Sequence, residues 1–598
     1  MDRLVQAVDV VDTADPMAFA LFGVIGIVVV VAAGAFSKKL GIAAPLLLIL
    51  IGFGFSYLPG APSDVPHELI LMGLLPPILY SAAINVPIVD FRRNFSSISA
   101  LSVALVVVTA FGTGLILFNI FPDLDLAAAI AIGAVISPTD AVAATALGKK
   151  LGLPARLVTI LEGESLVNDA TALVLLRSAI AATAATVSFW EVIGDFAYAV
   201  VLAAVIGLLV GFVTVFVRSK LRDSMLDTAI SFAVPFIAYL PAEYFHASGV
   251  LAVVVAGLYS GHSSAKRFSA QARISERLNW RPVQFVLENG VFLLMGLQVS
   301  LLVSQVEEDE LSARSAVLLG LLMTAVVLAI RFAFLAPLLL LLRRAEDRAE
   351  TTNSRWRTMF ERVRSKSEAS AGQERRLKRG EKVVKRRERD IQELRAEGLG
   401  WRGGIILGWA GMRGVVTLAA AQSLPAETPY RPQLVLIAFT VAVTTLLLQG
   451  GTLPWLIKLT KIKGTDRAAD RRELAQLLDE MGAAGIAALD SPTIELPEGE
   501  VVDREVIERV RHDTLLSAEA AWERADHGAG IDGLKHSPQR QYRALRREVL
   551  QAEREALLEA RSSGTYPSRI LIRAQAMLDL EETRLEQIDN PSGKEPHE

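Results

Sequence analysis

The chain has 598 residues, 52% of them hydrophobic, and its formal charge of -3 hides a segregation: apolar residues dominate to about residue 460 and charged ones after it. Repeated apolar runs of 18 or more residues exclude a soluble globular domain of ordinary composition. The chain has no cysteine, which excludes disulfides, thiolate metal sites and a cysteine nucleophile.

Residues 1–16 carry Asp2, Asp9, Asp12 and Asp15 against Arg3 alone. A signal peptide opens on basic residues, so the first apolar run is expected to be a retained helix. Thirteen spans are predicted, at about 17–36, 42–58, 68–86, 97–121, 126–147, 155–184, 189–217, 225–241, 248–262, 282–305, 315–342, 403–424 and 432–457. With the N-terminus outside, the inside loops hold Lys38 and Lys39, Arg92 and Arg93, Lys149, Lys150 and Arg156, Arg218, Lys220 and Arg222, and Lys266, Arg267, Arg273, Arg277 and Arg281. Outside segments hold Arg3, Arg314 and Arg431. This alternation obeys the positive-inside rule and supports the count, because one missed helix would invert everything downstream. The expectation is a multi-pass protein of the plasma (inner) membrane with a cytoplasmic C-terminus.

The loop 343–400 holds 18 Lys and Arg against 11 Asp and Glu, a surplus of 7 positive charges. It reads as a charged cytosolic insert held near anionic lipid, with a solvated helix over 374–397. Sparse aromatic residues argue against nucleic acid. A membrane-spanning domain is expected over 1–459, and 460–598 reads as a helical cytosolic tail with regulatory or dimer-stabilising character. Its helices are predicted near 466–488, 502–526, 538–563 and 566–588, with Pro492, Pro497, Pro538 and Pro567 at or near the breaks. No phosphate loop, dinucleotide fingerprint or metal-spaced His pair is present, so neither an enzyme nor a cofactor is expected.

The sixth span contains Glu164-Ser165-Leu166-Val167-Asn168-Asp169. On a helix, Glu164, Ser165, Asn168 and Asp169 fall within roughly 140° of arc, one polar face on an apolar rod. Ionisable groups at membrane depth line cavities or ion paths. The fifth span contains Ser137-Pro138-Thr139-Asp140. Proline removes a backbone donor and unwinds the helix before it, which frees carbonyls such as that of Thr139 to face a cation. The twelfth contains Gly408-Trp409-Ala410-Gly411-Met412-Arg413-Gly414, with an arginine at mid-span. With the seventh span set apart as a linker, both interrupted helices are fifth in their halves. That is the pattern of an inverted-repeat transporter with crossed broken helices. Asp140 and Arg413 are placed to offset the half-helix dipoles. Arg331, in the eleventh span, needs a counter-charge; Glu164 is the candidate and Glu288 the competitor.

Together with Leu75-Pro76-Pro77-Ile78-Leu79, these motifs resemble the bacterial sodium/proton exchangers of the monovalent cation:proton antiporter-1 family, over roughly residues 17–457. The resemblance implies an all-α polytopic membrane protein of about thirteen transmembrane helices. Two inverted six-helix repeats with crossed broken helices form a core and a dimerisation domain, with the helical cytosolic tail added. It implies a homodimer working by an elevator-like movement. Asp169 matches the essential carboxylate and Asn168 its neighbour. Thr139 and Ser165 match residues that help form the sodium site, Asp140 the acid of the unwound helix, and Glu164 with Arg331 the core ion pair. One departure is that several relatives carry a Glu near the position of Ser81.

The expected function is secondary antiport of sodium for protons by alternating access, with sodium and protons as the transported species. Burial favours a neutral carboxyl and a cation favours its ionised form, so the two ions exclude one another at Asp169. Because Asn168 cannot titrate, one cation per proton is expected, which is electroneutral. Lithium and potassium are alternative cations. A cation channel and a membrane hydrolase with an Asp140–Asp169 dyad are the rivals from other classes.

Overall fold

Helix occupies each of the thirteen predicted segments in the computed structural model. The structure describes residues 16–366 and 399–489, apart from short gaps at 41–42, 59–64, 141, 185–188, 222, 308–311, 463 and 465–466, and a few tail residues between 504 and 581. The helices are α1 (Pro16–Leu40), α2 (Ala44–Phe55), α3 (Leu69–Asn85), α4 (Phe95–Ile120), α5 (Leu126–Ile136) and α6 (Val142–Leu151). Next come α7 (Ala155–Ala184), α8 (Phe189–Arg218), α9 (Ser224–Tyr244), α10 (Gly249–Arg267), α11 (Ala270–Leu297) and α12 (Val299–Glu307). The last are α13 (Ala313–Lys366), α14 (Trp401–Trp409), α15 (Val415–Gln422), α16 (Arg431–Thr460) and α17 (Arg467–Leu489). Among the described residues the only β-type pairing is a single antiparallel bridge, Asp140 with Met412.

Among the described residues, seven helices are long and apolar enough to cross a membrane, and five more apolar helices are shorter. Helix is the form such sequences must take, because hydrocarbon leaves backbone donors and acceptors no outside partner. Side-chain caps set several starts. Asp223, Ser248 and Ser269 accept from the backbone N–H of Met225, Leu251 and Ala272, at 2.8, 3.3 and 3.1 Å.

Two boundaries differ from the sequence expectation. Helix α11 begins at Ala270, not near 282, because Ser269 caps it and Pro282 is accommodated within it. Helix α13 runs unbroken to Lys366, so the first part of the insert 343–400 is helical. Hydropathy marks where a helix leaves the apolar layer; it does not mark where the helix ends. The charged helix expected over 374–397 lies outside the described residues. In the tail, the first predicted helix appears as α17 and the other three fall largely outside the described residues. The chain divides into two compact units, Met1–Gly464 and Thr465–Glu598.

Within the first unit the helices pack as two groups. One comprises α4, the α5–α6 pair, α7, α13, the α14–α15 pair and α16; the other comprises α1, α2, α3, α8, α9, α10 and α11. Both broken helices therefore belong to the first group. In the second, α2 and α11 touch backbone to backbone at Gly52 and Gly296, where a Cβ on Gly296 would sit 3.0 Å from the Gly52 Cα. Small residues permit such close approach where lipid supplies no hydrophobic drive.

Gly296→Leu should separate α2 from α11 and destabilise the protein by about 1–3 kcal/mol, the range of overpacking. Gly54, on the same helix as Gly52, has open space around it and serves as control. Thermal melts in detergent should show a fall for Gly296→Leu and none for Gly54→Leu; equal melting points would contradict the packing.

Candidate functional site

The break between α5 and α6 falls at Ser137-Pro138-Thr139-Asp140, and that between α14 and α15 at Ala410-Gly411-Met412-Arg413-Gly414. The two unwound segments cross. Asp140 donates its backbone N–H to the Met412 carbonyl at 2.6 Å, so each segment satisfies a backbone group that the other helix has lost. Gly414 is required at the crossing, since a Cβ there would lie 2.7 Å from the Asp140 carboxylate.

Helix α7 passes beside the crossing and delivers its polar face to it. The Asn168 amide donates to both the carbonyl and the hydroxyl of Thr139, each at 2.9 Å. The Thr139 hydroxyl donates to Glu164 at 2.8 Å. Arg331 of α13 grips Glu164 bidentately, at 2.5 and 3.0 Å, and donates to the Leu407 carbonyl at 3.0 and 2.8 Å. Leu407 lies in the last turn of α14, whose carbonyls have no helical partner. A continuous polar chain thus runs from Asn168 on α7 through the first break to the last turn before the second. Gly411 leaves room for it, because a Cβ there would lie 2.6 Å from the Arg331 Nε.

Arg413 is 2% exposed, and its Nε donates to the carbonyl of Ile136, the last residue of α5, at 3.2 Å. It also donates to the Gly411 carbonyl, and its backbone N–H reaches the Thr445 hydroxyl at 3.1 Å. A guanidinium therefore sits on the negative end of α5. Asp140 is two residues ahead of α6 and packs on Gly414, which immediately precedes α15, so its carboxylate lies by the positive ends of two half-helices.

Asp169 is 9% exposed, and among the described residues no donor is seated on its carboxyl. The Asp140 carboxylate is near enough to repel it. Asn168 is 1% exposed, and its carbonyl oxygen has no partner among the described residues. Ser165 is half-buried on the same helix. The Thr139 carbonyl, expected to be free, is occupied by Asn168, although a carbonyl retains a second lone pair. Glu288, the rival partner for Arg331, instead accepts from Gln284 at 2.6 Å.

A family profile described as sodium/hydrogen exchanger, transmembrane, matches residues 25–459. The chain belongs to the sodium/hydrogen exchanger family. An exchanger relative from Mycobacterium tuberculosis, named an uncharacterized Na+/H+ exchanger, is 28% identical over 585 residues, which is 94% of this chain and 96% of that protein. The Na+/H+ antiporter ApNhaP of Aphanothece halophytica is 25% identical over 441 residues, covering 73% of each chain. In fold, this exchanger is similar to the sodium proton antiporter MjNhaP1 from Methanocaldococcus jannaschii. The TM-score is 0.54 at 17% identity, covering 74% of this chain and 99% of that one.

Two features of this exchanger are not visible in its sequence. Arg218, counted as an inside-loop charge, is 2% exposed and bonds Asp227 bidentately at 2.9 and 2.8 Å, with Glu276 at 2.8 Å. Arg218 and Glu276, which look like loop residues, and Asp227, at the start of a predicted span, become one buried triad once α8, α9 and α11 meet. Arg177, within the sixth span, is paired with Glu243 of α9 at 2.7 Å.

Glu164 and Arg331 have side chains 2% and 1% exposed, so removing either strands a buried charge. Glu164→Gln should destabilise the protein by about 3–5 kcal/mol, and adding Arg331→Gln should recover part of the loss. A double-mutant cycle by thermal denaturation measures the coupling; additive losses would reject it.

Proposed function

We propose that the protein exchanges sodium for protons across the membrane, with Asp169 carrying each in turn. The observation that carries this reading is the Asp169 carboxyl, buried at the crossing of two broken helices with no donor seated on it among the described residues. The neighbouring charges are already committed. Glu164 is neutralised by Arg331, Arg413 is held on two backbone carbonyls, and Asp140 faces half-helix dipoles. Asp169 is left to bind and release ions.

Sodium prefers hard oxygen ligands. The Asp169 carboxylate, the Asn168 oxygen, the Ser165 hydroxyl and the Thr139 oxygens supply that class of donor. A carboxyl in an apolar site favours its neutral form and a cation favours the carboxylate, so proton and sodium exclude each other. If the group holding α7 moves against the other group, Asp169 faces each side alternately, and exclusion becomes coupled exchange. No covalent step is involved. Asn168 cannot titrate and Glu164 is paired, so one proton moves per sodium ion and exchange is electroneutral.

Basic inside loops support an outside N-terminus and cytoplasmic C-terminus. The apolar faces of α1 and α8 suit lipid and a second copy of the chain, giving a homodimer. The tail beyond Gly464 carries no transport chemistry and serves regulation. Potassium remains a competing cation in one respect: a Bacillus pumilus relative, 27% identical over 278 residues, is named a sodium, potassium, lithium and rubidium/H+ antiporter.

Purified protein in liposomes should dissipate an imposed pH gradient when Na+ is added, more strongly than with K+. Asp169→Asn, nearly isosteric but unable to release a proton, should reduce that flux to a few per cent of wild type while eluting as the folded species. Flux in the variant near wild type would remove Asp169 from the mechanism; a response to K+ alone would reassign the cation.

A further inference from the structure

The two helix groups are tied together at one end of the fold. Arg177, eight residues beyond Asp169 on α7, is paired at 2.7 Å with Glu243 in the last turn of α9. Helix rise puts Arg177 about 12 Å further along the axis than Asp169. Glu243 is itself anchored, because its other oxygen accepts the backbone N–H of Gly249, the first residue of α10, at 3.0 Å. The buried Tyr239 hydroxyl neighbours the same guanidinium. Glu243 is thus a fixed point of the second group, and Arg177 reaches it from the first.

A second tie lies at the same end. Gln422, the last residue of α15, donates to Gln298 at 2.9 Å, just beyond the end of α11. Gln298 is 1% exposed and donates in turn to the Val65 carbonyl at 3.4 Å, within the second group. With the N-terminus outside, α7, α9, α11 and α15 all end outward, so both ties lie on the outer side of Asp169.

We propose that Arg177 and Glu243, with Gln422 and Gln298, form an outer latch that holds the two groups together while Asp169 is closed to the outside, and that must open for the site to face outward. This rests on the exchanger reading. Helix α7 carries both the transport carboxyl and half of the latch, so the site cannot shift against α9 without parting Arg177 from Glu243. The Arg177 side chain is 48% exposed and that of Glu243 19%. Ion pairs of that exposure are individually weak, and a weak latch suits a cycling transporter: it biases the equilibrium several-fold without stalling it.

The natural chain has no cysteine, so introduced thiols are the only ones present. Arg177→Cys with Glu243→Cys, joined by a short bifunctional methanethiosulfonate, should lose Na+-driven proton flux in liposomes and regain it when a reductant cleaves the linker. Recovery shows that the protein remained folded. Lys149 and Glu162 are paired at 2.5 Å within the first group, and Lys149→Cys with Glu162→Cys, linked in the same way, should continue to exchange. Full flux through the linked 177–243 protein would overturn the latch. Absence of Na+-driven flux in the wild-type protein would instead overturn the exchanger reading, a distinct result.

Discussion

The site depends on one buried ion pair. Arg331 binds Glu164 with two hydrogen bonds and the Leu407 carbonyl with two more, so one guanidinium joins α7, α13 and α14. Buried pairs of this kind are seldom net stabilisers against an apolar replacement, because two ions must be desolvated. Its contribution is geometric. Glu164 holds the Thr139 hydroxyl, Thr139 holds the Asn168 amide, and Asn168 is the residue beside Asp169. Without the pair, the Thr139 hydroxyl loses an acceptor that is itself held in place, and α14 loses its tie to α7.

The crossing solves a backbone problem with the same few residues. Two helices broken in mid-membrane leave orphan donors and acceptors in an apolar medium. The Asp140–Met412 bridge satisfies one set, and the guanidinium of Arg413 on Ile136 and Gly411 satisfies another. The charges of Glu164, Arg331, Arg413 and Asp140 are thereby committed to holding the fold. An ion carrier needs such an arrangement: a rigid, neutralised frame around one carboxyl that is free to change its partner.

Much of this is legible in the sequence, for physical reasons. In Ser137-Pro138-Thr139-Asp140 a proline that removes a backbone donor is followed by an aspartate at mid-span, and an apolar run containing Glu164, Asn168 and Asp169 needs a polar interior to face. Positions within one helix follow from a fixed period. Partners between helices do not: Leu407 as the second acceptor of Arg331, the union of Arg218 with Asp227 and Glu276, and the pairing of Arg177 with Glu243 all depend on how helices distant in sequence pack. Helix ends in water are also hidden, since α11 and α13 extend past the apolar layer through residues that look like loop.

The proposed mechanism requires that one carboxyl hold either a proton or a sodium ion and never both. Titration calorimetry of Na+ into the purified protein tests this most directly, run in several buffers of different ionisation enthalpy so that protons released per ion bound can be counted. At a pH where the unliganded site is protonated, competition at Asp169 predicts one proton released for each sodium ion bound, and weaker apparent affinity as the pH falls. Sodium binding with no proton release and an affinity indifferent to pH would contradict it.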